Sequence, residues 1–93
     1  MGVRERSAGY ELVAAAQTAQ ILGPAGGPGD ILHRVVVTAS TGTTTILDGA
    51  VVILVIPVAT TVGTTYEFNA RAVTNWNITT AAATSCMCIG DFT

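Results

Sequence analysis

The chain has 93 residues and a formal net charge of −2, from four Arg, no Lys, six acids and a single His. Clustered cations are what track phosphates, so this balance argues against a nucleic-acid partner, and so few ionisable groups leave little from which to build an active site. Apolar residues make up 49% of the chain and charged ones only 11%, against about 25% charged in ordinary soluble domains.

A domain of this size buries about 60–65% of its unfolded surface, so one core cannot hide so much apolar area. The surplus implies burial in a homo-oligomer or on a larger assembly. Thirty-three residues are Val, Ile or Thr, and β-branched side chains suit a pleated surface. The expectation is therefore an all-β domain.

Residues 1–9 are polar and small and read as an N-terminal arm, with a single β domain over 10–93. Arg4, Glu5 and Arg6 are followed by Ser7, Ala8, Gly9, Tyr10 and Glu11, which is not the hydrophobic stretch of a signal peptide. Tyr10 to Leu22 lacks an i, i+3, i+4 apolar stripe and reads as a strand pair or a bent strand.

Gly23 to Asp30 (GPAGGPGD) must be a loop, because its prolines fix φ while its glycines permit positive φ. It has no GK[ST] and no G-x-G-x-x-G before a helix, so it is not a phosphate cradle, and its two Gly-X-Y triplets are too few for collagen. Ile31 to Ala39 reads as a strand that becomes central at Val35 to Val37. His33 and Arg34 near Asp30 form the densest polar cluster, yet without a nucleophile they fit a strand start or an inter-subunit ion pair.

Thr43 to Leu47 is a short strand closed by Asp48-Gly49, a hairpin signal, and Val51 to Val58 pairs back. The run Ala50 to Ala59 is ten residues with Pro57 near its end, whereas a membrane-spanning helix needs about 20. It reads as a buried strand, with no membrane partner. Thr64 to Val73 alternates cleanly, with Tyr66, Phe68, Ala70 and Ala72 on one face and Glu67, Asn69 and Arg71 on the other. Glu67 and Arg71 are too far apart along the strand to pair with each other, so they are expected to pair across strands or across an interface.

Asn75-Trp76-Asn77 reads as a turn, with Trp76 a core or interface anchor. Asn77-Ile78-Thr79 matches a glycosylation sequon by chance. Thr84 to Gly90 is the last strand. Cys86 and Cys88 share a face about 6.5–7 Å apart, too far for a relaxed disulfide, and read as reduced, buried thiols. A metal site would need two more soft or imidazole ligands and the lone His33 supplies at most one, so no cofactor or metal is expected. Seven or eight short strands at this spacing indicate a small β-sandwich or barrel, with a jelly roll among the candidates.

Taken in order, AAQTAQILGPAGGPGDILHRVVVTAST, ILDGA and NWNITTAAATSCMCIG resemble small virion proteins of tailed bacteriophages. The shared marks are a GxxGxxGD turn before an apolar strand, a DG hairpin and a W-x-x-T element, over roughly Leu12 to Gly90. The resemblance implies a capsid decoration, or cement, protein: a compact β-fold, commonly trimeric, that binds the major capsid protein on the virion surface after assembly in the host cytoplasm. Asp30, Asp48-Gly49 and Trp76 would be structural positions, and the protein no enzyme. The interface candidates are Arg4, Arg6, Tyr10, Arg34, Glu67, Arg71 and Trp76. A receptor- or carbohydrate-binding head-fibre or spike module is the alternative.

Overall fold

The computed structural model describes residues 9–93, which form eight strands. These are β1 (Gly9–Val13), β2 (Gln20–Ile21), β3 (Ile31–Ser40), β4 (Thr44–Asp48), β5 (Val51–Ile56), β6 (Thr65–Arg71), β7 (Trp76–Thr80) and β8 (Thr84–Asp91). They build two four-stranded antiparallel sheets, ordered β1-β8-β3-β6 and β2-β7-β4-β5.

That order follows from one long hairpin. β4 pairs with β5 around the Gly49-Ala50 turn, and β3 with β6, β2 with β7 and β1 with β8 follow outward from it. Strands 1–4 run out and strands 5–8 run back. Wrapping this ribbon sends alternate pairs to opposite sheets, and the added contacts β3–β8 and β4–β7 seal each sheet. The result is a jelly-roll β-sandwich.

The core lies between the sheets. β8 alternates strictly, with Thr84, Cys86, Cys88 and Gly90 buried, and it meets Val13 of β1 and Val35 and Val37 of β3 on the same side. The facing sheet contributes Ile46, Ile56, Ile78 and Trp76, while Leu22, Leu32 and Ala72 close the ends. β6 behaves as its alternation predicts, with Tyr66, Phe68 and Ala70 packed against the core.

Three expectations change. Tyr10 to Leu22 holds two strands that do not pair with each other: β1 joins β8 in one sheet and the short β2, Gln20–Ile21, joins β7 in the other, the chain turning between them through Ala16 and Ala19 at positive φ. Trp76 is not in a turn; it opens β7, and the turn ends one residue before it. Val51 to Val58 is not a buried strand. β5 lies at the edge of its sheet, with β4 its one strand neighbour among the described residues, and Val51, Val52, Ile53 and Val55 are exposed there. The expected arm lies outside the described residues except for Gly9, which already belongs to β1.

Asp48 fixes the end of the sandwich where the β4–β5 and β6–β7 turns meet. Its carboxylate accepts the amides of Val73 at 2.8 Å, Thr74 at 2.9 Å and Asn75 at 3.1 Å. Partial burial pushes this carboxyl up, but the three donors together outweigh it and hold the group below its ordinary 3.8. A depressed folded value means that the stabilisation is whole above the unfolded value and is lost as pH falls from there through the folded one. Asp48→Asn is therefore expected to lower the melting temperature at pH 7 by a few degrees, on the order set by one exposed polar cluster. The gap from the parent should close in thermal melts below about pH 4, and a gap that persists there would assign the effect to shape rather than charge.

Candidate interaction surface

The outward side chains of the β1-β8-β3-β6 sheet are set by the same register that fills the core. Because Val13, Cys86, Cys88, Val35 and Val37 point inward, their neighbours must point out. One cross-strand row reads Tyr10, Ile89, Arg34, Glu67, and the next reads Leu12, Met87, Val36, Thr65. A third holds Asp91, Ile31 and Arg71.

Along the first two rows the face therefore grades from apolar at β1 and β8 to polar at β6, while the third carries a charge at each end in Asp91 and Arg71. Tyr10 is 77% exposed and Leu12 also stands out, while Val36, Met87 and Ile89 are half-buried beside them. At the other border Arg34 Nε meets Glu67 Oε2 at 3.3 Å. Both partners are exposed, so the pair adds little stability. It does fix where the charges sit. The cross-strand pairing expected for Glu67 is thus with Arg34, its direct register partner.

Of the sequence-derived candidates, Tyr10, Arg34, Glu67 and Arg71 come together on this one face. Arg4 and Arg6 lie outside the described residues. Trp76 is not on the surface: it is 2% exposed, its Nε1 donates to the Asp30 carbonyl at 3.1 Å, and Phe68 meets it edge-on at 6.2 Å. The indole can be buried whole because its one donor is satisfied. Leu12, Val36, Met87 and Ile89 were not singled out from the sequence, although two inward cysteines at 86 and 88 already oblige Met87 and Ile89 to face outward.

The polar cluster around Asp30 does not assemble. Asp30 is buried in its own loop, His33 Nδ1 lies 3.1 Å from Asn69 Oδ1, and Arg34 turns to Glu67. The β3 register slips between Leu32 and Arg34, which separates His33 from the regular rows. Asn77 of the sequon is buried within β7, where its amide donates to Gly49 O at 3.0 Å and Asn75 Oδ1 at 3.1 Å, out of reach of a modifying enzyme.

Cys86 and Cys88 are free and buried, with their sulfurs 4.0 Å apart inside the core. The neighbouring Cys86 sulfur, together with burial, pushes the Cys88 thiol up, which keeps it from acting as a nucleophile at neutral pH. Among the described residues no three His, Cys, Asp or Glu side chains converge as a ligand set for a metal.

A shallow depression of about 200 Å³ lies at the end of the β1–β8 pair, lined by Tyr10, Glu11, Gly23, Pro24, Asp91 and Phe92 among others. The Glu11 carboxylate is already engaged, accepting Gly23 N–H at 2.7 Å and Gln20 Nε2 at 2.8 Å. Ligand pockets usually enclose about 300–1,000 Å³. A flat, graded sheet face is the more developed surface. No protein-family model, curated protein or solved structure matches the chain.

Proposed function

We propose that the protein is a structural virion component rather than an enzyme: a cement protein that attaches to the outer surface of a phage capsid and stabilises contacts between major capsid subunits. It assembles in the host cytoplasm, with copies of itself and the major capsid protein as its partners. The observation that carries this reading is the outer face of the β1-β8-β3-β6 sheet, where Tyr10 and Leu12 lie exposed beside Met87, Ile89 and Val36. Contiguous exposed apolar area on a small domain marks an interaction site.

A sheet-backed face also suits the task. Its main chain is held by ladder hydrogen bonds, so little backbone order has to be imposed when it docks on many identical sites. The Arg34–Glu67 border supplies polar contacts that set orientation more than affinity. The resemblance over Leu12 to Gly90 points the same way, and the jelly roll recurs in capsid proteins, although lectins and cupins share it.

The test uses heads of a phage that encodes this chain, purified with its gene deleted. Added wild-type protein should bind in a saturable number of copies per head, read by sedimentation and cryo-electron microscopy. Tyr10→Asp and Leu12→Asp should each weaken attachment about tenfold or more while leaving the far-ultraviolet dichroism unchanged. Failure of the wild type to bind, or equal binding by both variants, would refute the reading. A head-fibre or spike module that takes carbohydrate or receptor is the second reading, favoured by Tyr10 beside the shallow depression. It predicts that glycan binding, not head occupancy, falls in Tyr10→Asp.

A further inference from the structure

The two sheets have four edges, and three carry recognisable guards against pairing with another chain. β2 is two residues long. β6 places Glu67, Asn69 and Arg71 outward along its length. β1 carries Glu11, whose carboxylate ties it to Gln20 and Gly23 on the neighbouring sheet's side. Short strands, charges and cover are the usual devices that blunt an edge.

β5 is neither short nor charged nor covered, and its one irregularity is a bulge that leaves Ile53 without a partner in β4. Its six residues, Val51 to Ile56, include no charge, and Pro57 comes just after the strand, where it blocks nothing along it. Val51, Val52, Ile53 and Val55 are between 45% and 63% exposed, and Val58 continues the apolar border. Among the described residues β5 pairs with β4 alone, so its other side presents main-chain donors and acceptors on both sides of the bulge.

We infer that β5 is where two copies of this chain join, each β5 pairing antiparallel with the other across a twofold axis. The two β2-β7-β4-β5 sheets then form one eight-stranded sheet. Three observations favour a second copy as the occupant. Val51, Val52, Ile53, Val55 and Val58 stand exposed on β5 and its flank, and an equally apolar strand beside them removes part of that area from water. Antiparallel self-pairing sets aliphatic against aliphatic on either side of the bulge, whereas β6 of another copy would bring Glu67 and Arg71 alongside and β2 offers only two residues. A twofold contact also closes on itself, consuming both uncharged β5 edges.

This contact rests on the self-association named in the proposed function but makes it a twofold pair in place of the trimer that the resemblance implies, and it lies on the sheet opposite the proposed capsid face. Light scattering coupled to size exclusion should give the wild type about twice the chain mass of 9.5 kDa. Val52→Lys and Val55→Lys should run at the single-chain mass with unchanged far-ultraviolet dichroism, while Ala82→Lys, in the exposed β7–β8 turn, should stay at twice the mass. A wild-type monomer or trimer, or a dimer that survives both β5 lysines, overturns the inference.

A second measurement covers the case in which the lysine variants do not fold. Cysteines placed singly at Val52, Ile53 and Val55 should yield a covalent dimer under mild oxidation from at least one position near the axis, and one at Val62 should not, since Cys86 and Cys88 are buried. No cross-link from any of the three overturns it. Head occupancy of the monomeric variants separates the two proposals: it falls with the dimer if avidity matters, and it is lost in Leu12→Asp, dimer intact, if only the capsid face fails.

Discussion

Replacing Trp76 by Ala is expected to cost about 3–5 kcal/mol, the range for emptying a large aromatic site in a packed core. For a domain this small that is a large share of the whole stability, and the melting temperature should fall on the order of 20 °C. Trp76 opens β7 directly opposite Asp48, stands edge-on to Phe68 and reaches the Asp30 carbonyl, so it joins the sheets to the β2–β3 loop at one end of the sandwich. Trp76→Phe separates volume from hydrogen bonding. It keeps an aromatic ring beside Phe68 and drops the donor, yet the Asp30 carbonyl retains the amide of Ala72 at 2.8 Å and is not orphaned. The loss should therefore be smaller, about 1–2 kcal/mol. Because Trp76 is the sole tryptophan, unfolding must be followed in urea by far-ultraviolet dichroism. A Trp76→Ala loss below about 1 kcal/mol would mean that the ring does not fill the core.

What could be read from the residues divides along a physical line. Local alternation is enough to orient β6 and β8, because successive side chains must take opposite faces once a segment is extended. The loop at Gly23 to Asp30 and the hairpin near Asp48-Gly49 were equally legible, since Gly49 takes a φ of +61° that its two-residue turn requires.

Position within a sheet is not local. Val51 to Val58 carries the uninterrupted apolar pattern of a strand covered on both faces. Its place at an edge depends on β7 having taken the other side of β4, a pairing between segments about thirty residues apart. Trp76 was misplaced for a related reason. Asn75 and Asn77 look like turn residues, but Asn77 is a strand residue whose amide is satisfied by Gly49 and Asn75.

The interaction face was legible only as fragments. Tyr10, Arg34, Glu67 and Arg71 were each chosen for chemistry and shown by register to share a face, whereas the apolar members Leu12, Met87 and Ile89 emerge only once β8 is known to lie between β1 and β3. The two surfaces divide the apolar surplus. One sheet presents a graded face and the other an uncharged edge, and a chain with 11% charged residues has few groups to spare for screening either.

Asp30→Ala is expected to cost about 2–4 kcal/mol, because it strands several donors around one buried carboxylate. Asp30 Oδ2 accepts the amides of Gly27 at 3.2 Å and Thr93 at 3.1 Å, and Oδ1 accepts the Thr93 hydroxyl at 2.8 Å. The Thr93 carbonyl in turn accepts the amides of Ala25 at 2.9 Å and Gly26 at 2.6 Å. Gly23 closes the same clamp. Its φ is +88°, and a Cβ there would sit 2.6 Å from Thr93 O, so no other residue fits without moving the chain. Asp30→Asn tests how much of this is charge. An amide oxygen at the Oδ2 position keeps both backbone donors, and its NH₂ can donate to the Thr93 hydroxyl, so all three contacts survive with one polarity reversed. Its loss should be about 1 kcal/mol, less than half that of Ala. The consequence reaches the proposed capsid face, because Gly23 also holds β1 through Glu11 while Thr93 ends the segment that continues from β8. Hydrogen exchange should therefore quicken in Asp30→Ala at Gly27 and Thr93 first and then along Gly9 to Val13. Exchange confined to the loop, with β1 as protected as in the parent, would show that the clamp and the face are independent.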